Sequence, residues 1–406
     1  MGNPVQYYQF PRPEVLAIVP ESASRVLDVG CGAGVLGASL KSRQACEVTG
    51  VEFVAEAAEL ARGALDRVLQ GDLFTLADQL VDAYYDAIIL ADVLEHLPDT
   101  DQALQLLSTK LAVNGALILS LPNTRHWSVL RSLIEGDWKY ENAGLLDRTH
   151  LRFFTHRSLI RSLAANGFFP RSTTSTRYLH LGQAPSGLAE LLATAGIRAG
   201  NLLDETGDYQ YLLVCQKMDD WAAVEAPTDP LQARSIFYLA EYCREIGDAK
   251  QALSLYSIRS QYLGQDEERW LSSLQQAALM ESLAYPRADV LYAYWQAYQT
   301  RSTRAEPLVA LARLYREGNE FAQAHLCAKK AMDLPYPSRD TGYIDADCYR
   351  WKAMDEFAVA SYWLGQFADT QRVCESLLQS RHLPEQQRKR IRSNLEYSVR
   401  ELKKRG

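Results

Sequence analysis

"VLDVGCGAGVLG", Val26–Gly37, is the stretch whose reading decides the fold. A short apolar run carries an acid, Asp28, near its end, and then Gly30, Gly32, Gly34 and Gly37 follow within eight residues. Glycines at a strand-to-helix turn leave bare backbone against which a ligand can lie. Further apolar runs surround this turn. "RVLDV", "EVTGVE", "YDAIILA" and "ALILSLP", beginning at Arg25, Glu47, Tyr85 and Ala116, read as strands covered on both faces. Helical spacing fills Val35–Arg43, Ala55–Leu65 and Thr100–Ala112 between them, and "YQYLLVCQK" (Tyr209–Lys217) reads as a last strand. This alternation predicts an open, mostly parallel sheet with helices on both faces.

What the glycines hold depends on their spacing. No lysine follows them in the phosphate-binding pattern, which speaks against a nucleoside triphosphatase. A dinucleotide fingerprint G-x-G-x-x-G counted from Gly30 would need a third glycine where Val35 stands. Counted from Gly32 the pattern does fit, through Gly34 and Gly37, but the glycine that directly follows the strand is Gly30. S-adenosyl-L-methionine suits the pattern better, because it carries no phosphate. Asp28 at the strand end suits its ammonium, and Glu52, about 20 residues after the glycines, suits the two ribose hydroxyls. Asp72 in "LQGDLF" can accept from the adenine amino group, or it can cap the helix beginning near Leu73. Cys31 reads as a small buried filler rather than a nucleophile.

"VLDVGCGAG", "GVE", "GDL", "DAIILADVLEHL" and "NGALILSLPN" stand in an order and spacing that resemble the class I S-adenosylmethionine-dependent methyltransferases, over residues 1–217. The resemblance implies a Rossmann-like domain with a seven-stranded sheet. It also implies that Asp28, Gly30, Gly32, Gly34, Glu52, Phe53, Asp72, Leu73, Ala91, Asp92, Val93 and His96 contact the cofactor. "DRTHLRFFTHRSLIRSLAANGF" resembles the subgroup acting on small molecules and sugars, and "YYQFPRPEVLAIVP" resembles methyltransferases of glycan assembly.

Methyl transfer is an in-line displacement at carbon, so positioning supplies most of the catalysis, and an alcohol acceptor also benefits from a general base. His96, His126 and His150 are the candidates. His96 follows the fourth strand and is read as orienting the cofactor, His126 lies past the fifth strand, and His150 takes Asp147 as its expected partner. Each can instead be a satisfied structural histidine. The stretch Asn123–Phe154 is long for a strand-to-helix connection. Its Trp127, Trp138, Tyr140, Arg148 and Arg152 suit a sugar face with an anionic group, or a lid whose aromatics pack on the domain itself.

Beyond "DDWAAVEAPTDP" (Asp219–Pro230), which reads as a linker, no strand is evident and helical spacing runs to the end. Ala252, Ala288 and Ala324 are 36 residues apart, and "YLAEYCREIGDAKQAL" and "LARLYREGNEFAQAHL" resemble tetratricopeptide repeats. Ser361–Leu378 reads as a fourth copy after an insertion, Leu334–Tyr349, and Glu385–Lys404 as a capping helix. This half resembles the module that follows bacterial family-2 glycosyltransferase domains. The expected organisation is therefore a methyltransferase domain over 1–218, a linker over 219–230 and a helical repeat domain over 231–406.

A net charge of −7 argues against a nucleic-acid partner. Seven scattered cysteines without C-x-x-C pairs imply a reduced setting and no metal site. "MGNPVQYYQF" lacks a secretory pattern, and no apolar run is long enough to span a bilayer, so a cytoplasmic protein is expected. The leading expectation is O-methylation of a sugar or glycan intermediate, with a protein partner such as a glycosyltransferase on the repeats. The alternatives are a protein methyltransferase that docks a peptide in the repeat groove, an interaction scaffold with a degenerate first half, and, least favoured, a nicotinamide oxidoreductase.

Overall fold

The computed structural model describes residues 9–178, 181–197, 199, 201–218, 226–340 and 342–405. Most of the expected linker and the first residues of "YYQFPRPEVLAIVP" lie outside these. The chain divides into two compact units. One comprises residues 1–186 and 201–246, the other 187–200 and 247–406.

The first unit opens with α1 (Pro13–Ile18), β1 (Arg25–Val29), α2 (Val35–Arg43), β2 (Glu47–Glu52), α3 (Ala55–Ala61) and β3 (Arg67–Gln70). It continues with β4 (Tyr85–Ala91), α4 (Thr100–Lys110), β5 (Leu111–Pro122), α5 (Trp127–Ile134), α6 (His156–Ala165) and β6 (Phe168–Thr176). After α7 (Leu188–Thr194), which belongs to the second unit, it ends with α8 (Leu202–Glu205), β7 (Gln210–Lys217) and α9 (Pro230–Glu245). The seven strands form one sheet in the order β3-β2-β1-β4-β5-β7-β6. β7 runs antiparallel to β5 and to β6, and the rest is parallel. The apolar runs become central strands because both faces are covered: Ala87, Ile88, Ile89 and Leu90 of β4 are fully buried. β1 and β4 are neighbours from which the chain winds in opposite directions, so a crevice opens at their carboxyl ends.

Several expected bounds shift. The helix expected over Ala55–Leu65 stops at Ala61, and the one expected over Thr100–Ala112 stops at Lys110 because β5 begins at the next residue. β6 is a strand that the residue pattern alone did not single out. The largest change concerns α9, expected to open the repeat domain, which is part of the first unit. Its inner face is polar and specific. Ser235 Oγ lies 2.9 Å from His156 Nε2 on α6 and 2.7 Å from Thr173 Oγ1 on β6. Arg234, 1% exposed, donates to Asp204 of α8 at 3.0 Å. Periodicity marks a helix but not the surface that it covers.

The second unit is helical: α10 (Ala249–Ser260), α11 (Asp266–Ser282), α12 (Arg287–Thr300), α13 (Glu306–Glu317), α14 (Phe321–Met332), α15 (Ala353–Trp363), α16 (Phe367–Gln379) and α17 (Glu385–Arg405). Each helix packs on the next in sequence. The even 36-residue spacing does not describe the packing, because Ala288 and Tyr292 are exposed, whereas Ala252, Tyr256 and Ala324 are buried. The equivalent sites lie four residues past the caps Asp248, Pro286, Glu320 and Gln366. They are Ala252, Val290, Ala324 and Thr370, all buried and unevenly spaced. Within the expected insertion, Asp340 pairs with Arg304 at 2.9 Å and Tyr349 Oη donates to Glu306 at 3.0 Å. Arg304 also meets Glu306 at 2.6 Å and stacks 3.8 Å from the Trp270 ring centre.

Candidate active site

The turn after β1 is built from positive backbone angles, with Gly30 at φ 71°, Gly32 at 54° and Gly34 at 79°. These suit glycine and little else. A Cβ on Gly30 would stand 2.6 Å from Val93 Cγ2, so this turn and the loop after β4 are in intimate contact. Gly34 caps α2, whose first turn follows directly.

Glu52, 5% exposed, ends β2 and reaches this turn. Its Oε2 accepts from Gly32 N and its Oε1 from Val54 N, both at 2.8 Å. A carboxylate has about four lone-pair directions, so two stay available to a pair of vicinal hydroxyls. Phe53 beside it is exposed, an apolar face at the mouth of the crevice. Asp28 is buried, and its Oδ2 has no hydrogen-bond partner among the described residues. Burial pushes its carboxyl up to about 7; Glu52 adds to the rise and Arg12 opposes it. A buried carboxyl with one oxygen unpartnered, next to open glycine backbone, fits an ammonium-bearing ligand such as S-adenosylmethionine. Asp72 does act as a turn cap, its Oδ1 accepting from Phe74 N at 2.9 Å and from Thr75 N at 3.3 Å. Leu73 is buried beneath it.

Past β4, Asp92 takes the left-handed conformation at φ 56° and is held firmly. Arg12 pairs with its Oδ2, while Ser120 Oγ at 3.1 Å and Gln210 Nε2 at 2.8 Å donate to its Oδ1. Arg12 and Gln210 are site residues that sequence reading missed. The only signal was distant, since one lies before β1 and the other opens β7.

The three candidate histidines part company. His126 is 1% exposed and caps α5, its Nδ1 accepting from Ser128 N at 3.2 Å, with its ring edge-on to Tyr209 at 5.4 Å. Burial holds its pKa below the usual histidine value. His96 and His150 converge, with ring centres 4.8 Å apart. The Asp147 carboxylate is engaged by Thr149, its Oδ1 accepting from Thr149 N at 2.8 Å and from Thr149 Oγ1 at 2.6 Å. Asp147 meets His150 through the backbone, its carbonyl accepting from His150 N at 3.0 Å. The nearest carboxylate is Glu95, whose Oε1 stands 3.9 Å from His150 Nε2. Glu95 is 1% exposed and neither of its oxygens accepts a hydrogen bond among the described residues. Burial, with Asp92 adding, raises its pKa well above the carboxylate range. Burial and then His96 lower that of His150. No metal was expected, yet Glu95, His96 and His150 bring three donor atoms within 4.8 Å of one another.

The segment from Asn123 to Phe154 folds back on the domain, with Thr124 N donating to Phe154 O at 2.9 Å. Val129, Leu145 and Leu146 form a small core against Trp138 and Tyr209. Trp138 meets Phe153 edge-on at 5.4 Å, and both Tyr140 and Phe153 remain exposed. Arg152 is occupied by the carbonyls of Pro98 and Leu151. Arg148 is exposed and donates from its backbone N–H to Glu141 O at 3.0 Å.

Residues 6–172 match the family model of a methyltransferase domain. The ubiquinone biosynthesis O-methyltransferase of Aeromonas salmonicida (strain A449) is 29% identical over 163 residues, which is 39% of this chain and 68% of that protein. The protein of the same name from Xylella fastidiosa (strain 9a5c) is 36% identical over 110 residues, 26% of this chain and 44% of its own length. Among solved structures, a SAM dependent methyltransferase from Archaeoglobus fulgidus aligns with a TM-score of 0.38 at 20% identity, over 53% of this chain and 95% of that one. A possible histamine N-methyltransferase from Thermotoga maritima aligns with a TM-score of 0.36 at 19% identity, over 52% and 89%.

Proposed function

We propose that this chain, an S-adenosylmethionine-dependent methyltransferase, transfers its methyl group to a hydroxyl oxygen of a small molecule, a sugar or glycan intermediate. The cofactor supplies a methyl group already activated on a sulfonium. The chain's task is to orient that methyl and to deal with the proton of an alcohol, which an amine acceptor would not require. The observation that carries the oxygen reading is the convergence of Glu95, His96 and His150 just past the carboxyl end of β4, beside the glycine turn. Asp28 holds the ammonium, Glu52 the ribose and Asp72, through its second carboxylate oxygen, the adenine amino group. Phe53 covers the adenosine. The two relatives described above are named O-methyltransferases, which agrees.

The sugar class rests on the segment between α5 and α6. Tyr140 and Phe153 present aromatic faces, half-buried Trp138 anchors them, and Arg148 adds a cation for an anionic group. We read the helices of the second unit, from α10 onward, as tetratricopeptide-like repeats serving a partner protein such as a glycosyltransferase, with the whole chain acting in the cytoplasm. No helix among the described residues is long and apolar enough to cross a membrane. A second reading has its own observation. The second unit contains a cavity of about 560 Å³ whose lining includes Tyr294, Trp351, Arg313, Arg390, Glu306 and Asp355. Such a mixed lining also suits a peptide, and hence protein methylation.

Methyl-labelled S-adenosylmethionine, incubated with the full chain and an extract of its host, tests these readings. Label in nucleotide sugars or lipid-linked glycans, released as a methyl ether, supports the proposal. Label in protein favours the second reading, and label on nitrogen sinks the oxygen assignment.

A further inference from the structure

Glu95 and His96 are placed together by the single 3-10 turn Leu94–His96 that follows β4, and His150 arrives from the connection between α5 and α6. The two imidazoles are committed in the same way. His96 Nδ1 lies 3.1 Å from the carbonyl oxygen of Thr149, and His150 Nδ1 lies 3.3 Å from that of Leu145. A carbonyl only accepts, so each Nδ1 carries the hydrogen and each Nε2 keeps a lone pair. Backbone carbonyls hold metal-ligating imidazoles in this tautomer. The third donor is the Glu95 carboxylate, buried with both oxygens unpartnered. Its own peptide carbonyl is fixed by Leu151 N at 2.8 Å and Arg152 N at 3.0 Å, so the residue is pinned rather than loosely placed. The 3.9 Å between His150 Nε2 and Glu95 Oε1 is too long for a hydrogen bond. Neighbouring ligand atoms of one tetrahedral ion with bonds of about 2.0–2.2 Å stand roughly 3.3–3.6 Å apart, so these donor atoms, within 4.8 Å of one another, draw together by rotamer adjustment when an ion is held.

We infer that Glu95, His96 and His150 form a binding site for a divalent first-row transition cation of the manganese, iron, cobalt or zinc class. Two nitrogen donors disfavour magnesium and calcium, which prefer all-oxygen shells. Asp92 does not complete the set, because Arg12, Ser120 and Gln210 occupy its carboxylate. A two-histidine, one-carboxylate set leaves coordination positions open. If the O-methylation reading holds, the acceptor oxygen takes one of them. There the hydroxyl gives its proton to a solvent water. The oxygen then forms its bond to the methyl carbon as the sulfur–carbon bond breaks, and that electron pair stays on sulfur as the neutral thioether leaves.

The test uses the full chain, stripped with a chelator and titrated calorimetrically with manganese(II), zinc(II) and magnesium(II) chlorides. Thermal unfolding is followed with and without each ion. The expected result is about one equivalent of manganese or zinc bound more tightly than magnesium, and a raised unfolding midpoint. At least tenfold weaker binding is expected in Glu95→Gln, His96→Gln and His150→Gln, each with the wild-type circular dichroism spectrum. No saturable binding to the wild type, or equal binding to all three variants, overturns the inference. Should Glu95→Gln fail to fold, His150→Gln decides alone. The O-methylation reading fails separately, through the labelled product, because the titration contains neither acceptor nor cofactor.

Discussion

At the residue scale, the cofactor side of the site turns on Gly30 and Asp28. Gly30→Ala places a methyl group 2.6 Å from Val93 Cγ2 and demands φ 71° of an L-residue. A stability loss of about 1–3 kcal/mol is expected, with S-adenosylhomocysteine binding weakened or lost in calorimetry. Asp28, with its pKa near 7, makes cofactor binding depend on pH. The ionised form pairs with the ligand ammonium, so affinity should fall as pH drops from 8 to 6, by up to about tenfold. Asp28→Asn should bind weakly at every pH and flatten the profile; an unchanged profile in that variant removes Asp28 from the site. His126 belongs to a different class. As the cap of α5, His126→Ala should cost about 1 kcal/mol of stability and leave the pH dependence of turnover unshifted, a comparison of rate profiles being the check.

At the scale of elements, α9 is the instructive case. His156 is fully buried on α6, stacked 4.7 Å from Tyr211 and bonded to Ser235 of α9. Burial lowers its pKa to about 4. The folded form therefore resists protonation while the unfolded chain accepts a proton near pH 6.5, so stability falls as pH drops through the window from 6.5 to 4. The loss attributable to this group reaches about 3 kcal/mol. Asp28 and Glu95, with raised values, act in the opposite direction, so the difference between wild type and His156→Gln is the quantity to measure. Hydrogen exchange over residues 156–176 should show wild-type protection declining more steeply between pH 6.5 and 5 than that of the variant; parallel slopes contradict the assignment.

At the scale of the whole molecule, the two units are separable in their consequences. Arg304 is 1% exposed, and its ion pairs with Glu306 and Asp340 are buried with it. Removing one partner of such a network leaves uncompensated buried charge, so Arg304→Ala should cost about 3–5 kcal/mol in the unfolding of the second unit. S-adenosylhomocysteine affinity should be unchanged, since every residue assigned to the cofactor lies in the first unit. A loss of that affinity would show that the cofactor site depends on the second unit.

The glycine turn, the apolar runs and the acids at strand ends were legible in the sequence because each is a local pattern. A strand buried on both faces must be apolar, and a turn with positive φ angles must be rich in glycine. The placement of Asp28 and Glu52 against that turn follows from strand order alone, and β1 and β2 do pair with Asp28 opposite Gly50. What only the tertiary structure decided depends on chain segments far apart in sequence. The His150 ring meets Glu95 rather than the Asp147 carboxylate, because Thr149 takes the carboxylate that is closer in sequence and the loop's backbone clamps onto Glu95. Arg12, ahead of α1, and Gln210, on β7, close on Asp92 past the end of β4. α9 joins the first unit because its polar inner face finds partners on α6, β6 and α8, and Ala288 faces outward because helix lengths and turns, not even spacing, set the register of the pairs. Local preference selects an element and its period; which face it buries, and which donors meet there, is set by the surfaces against which it packs.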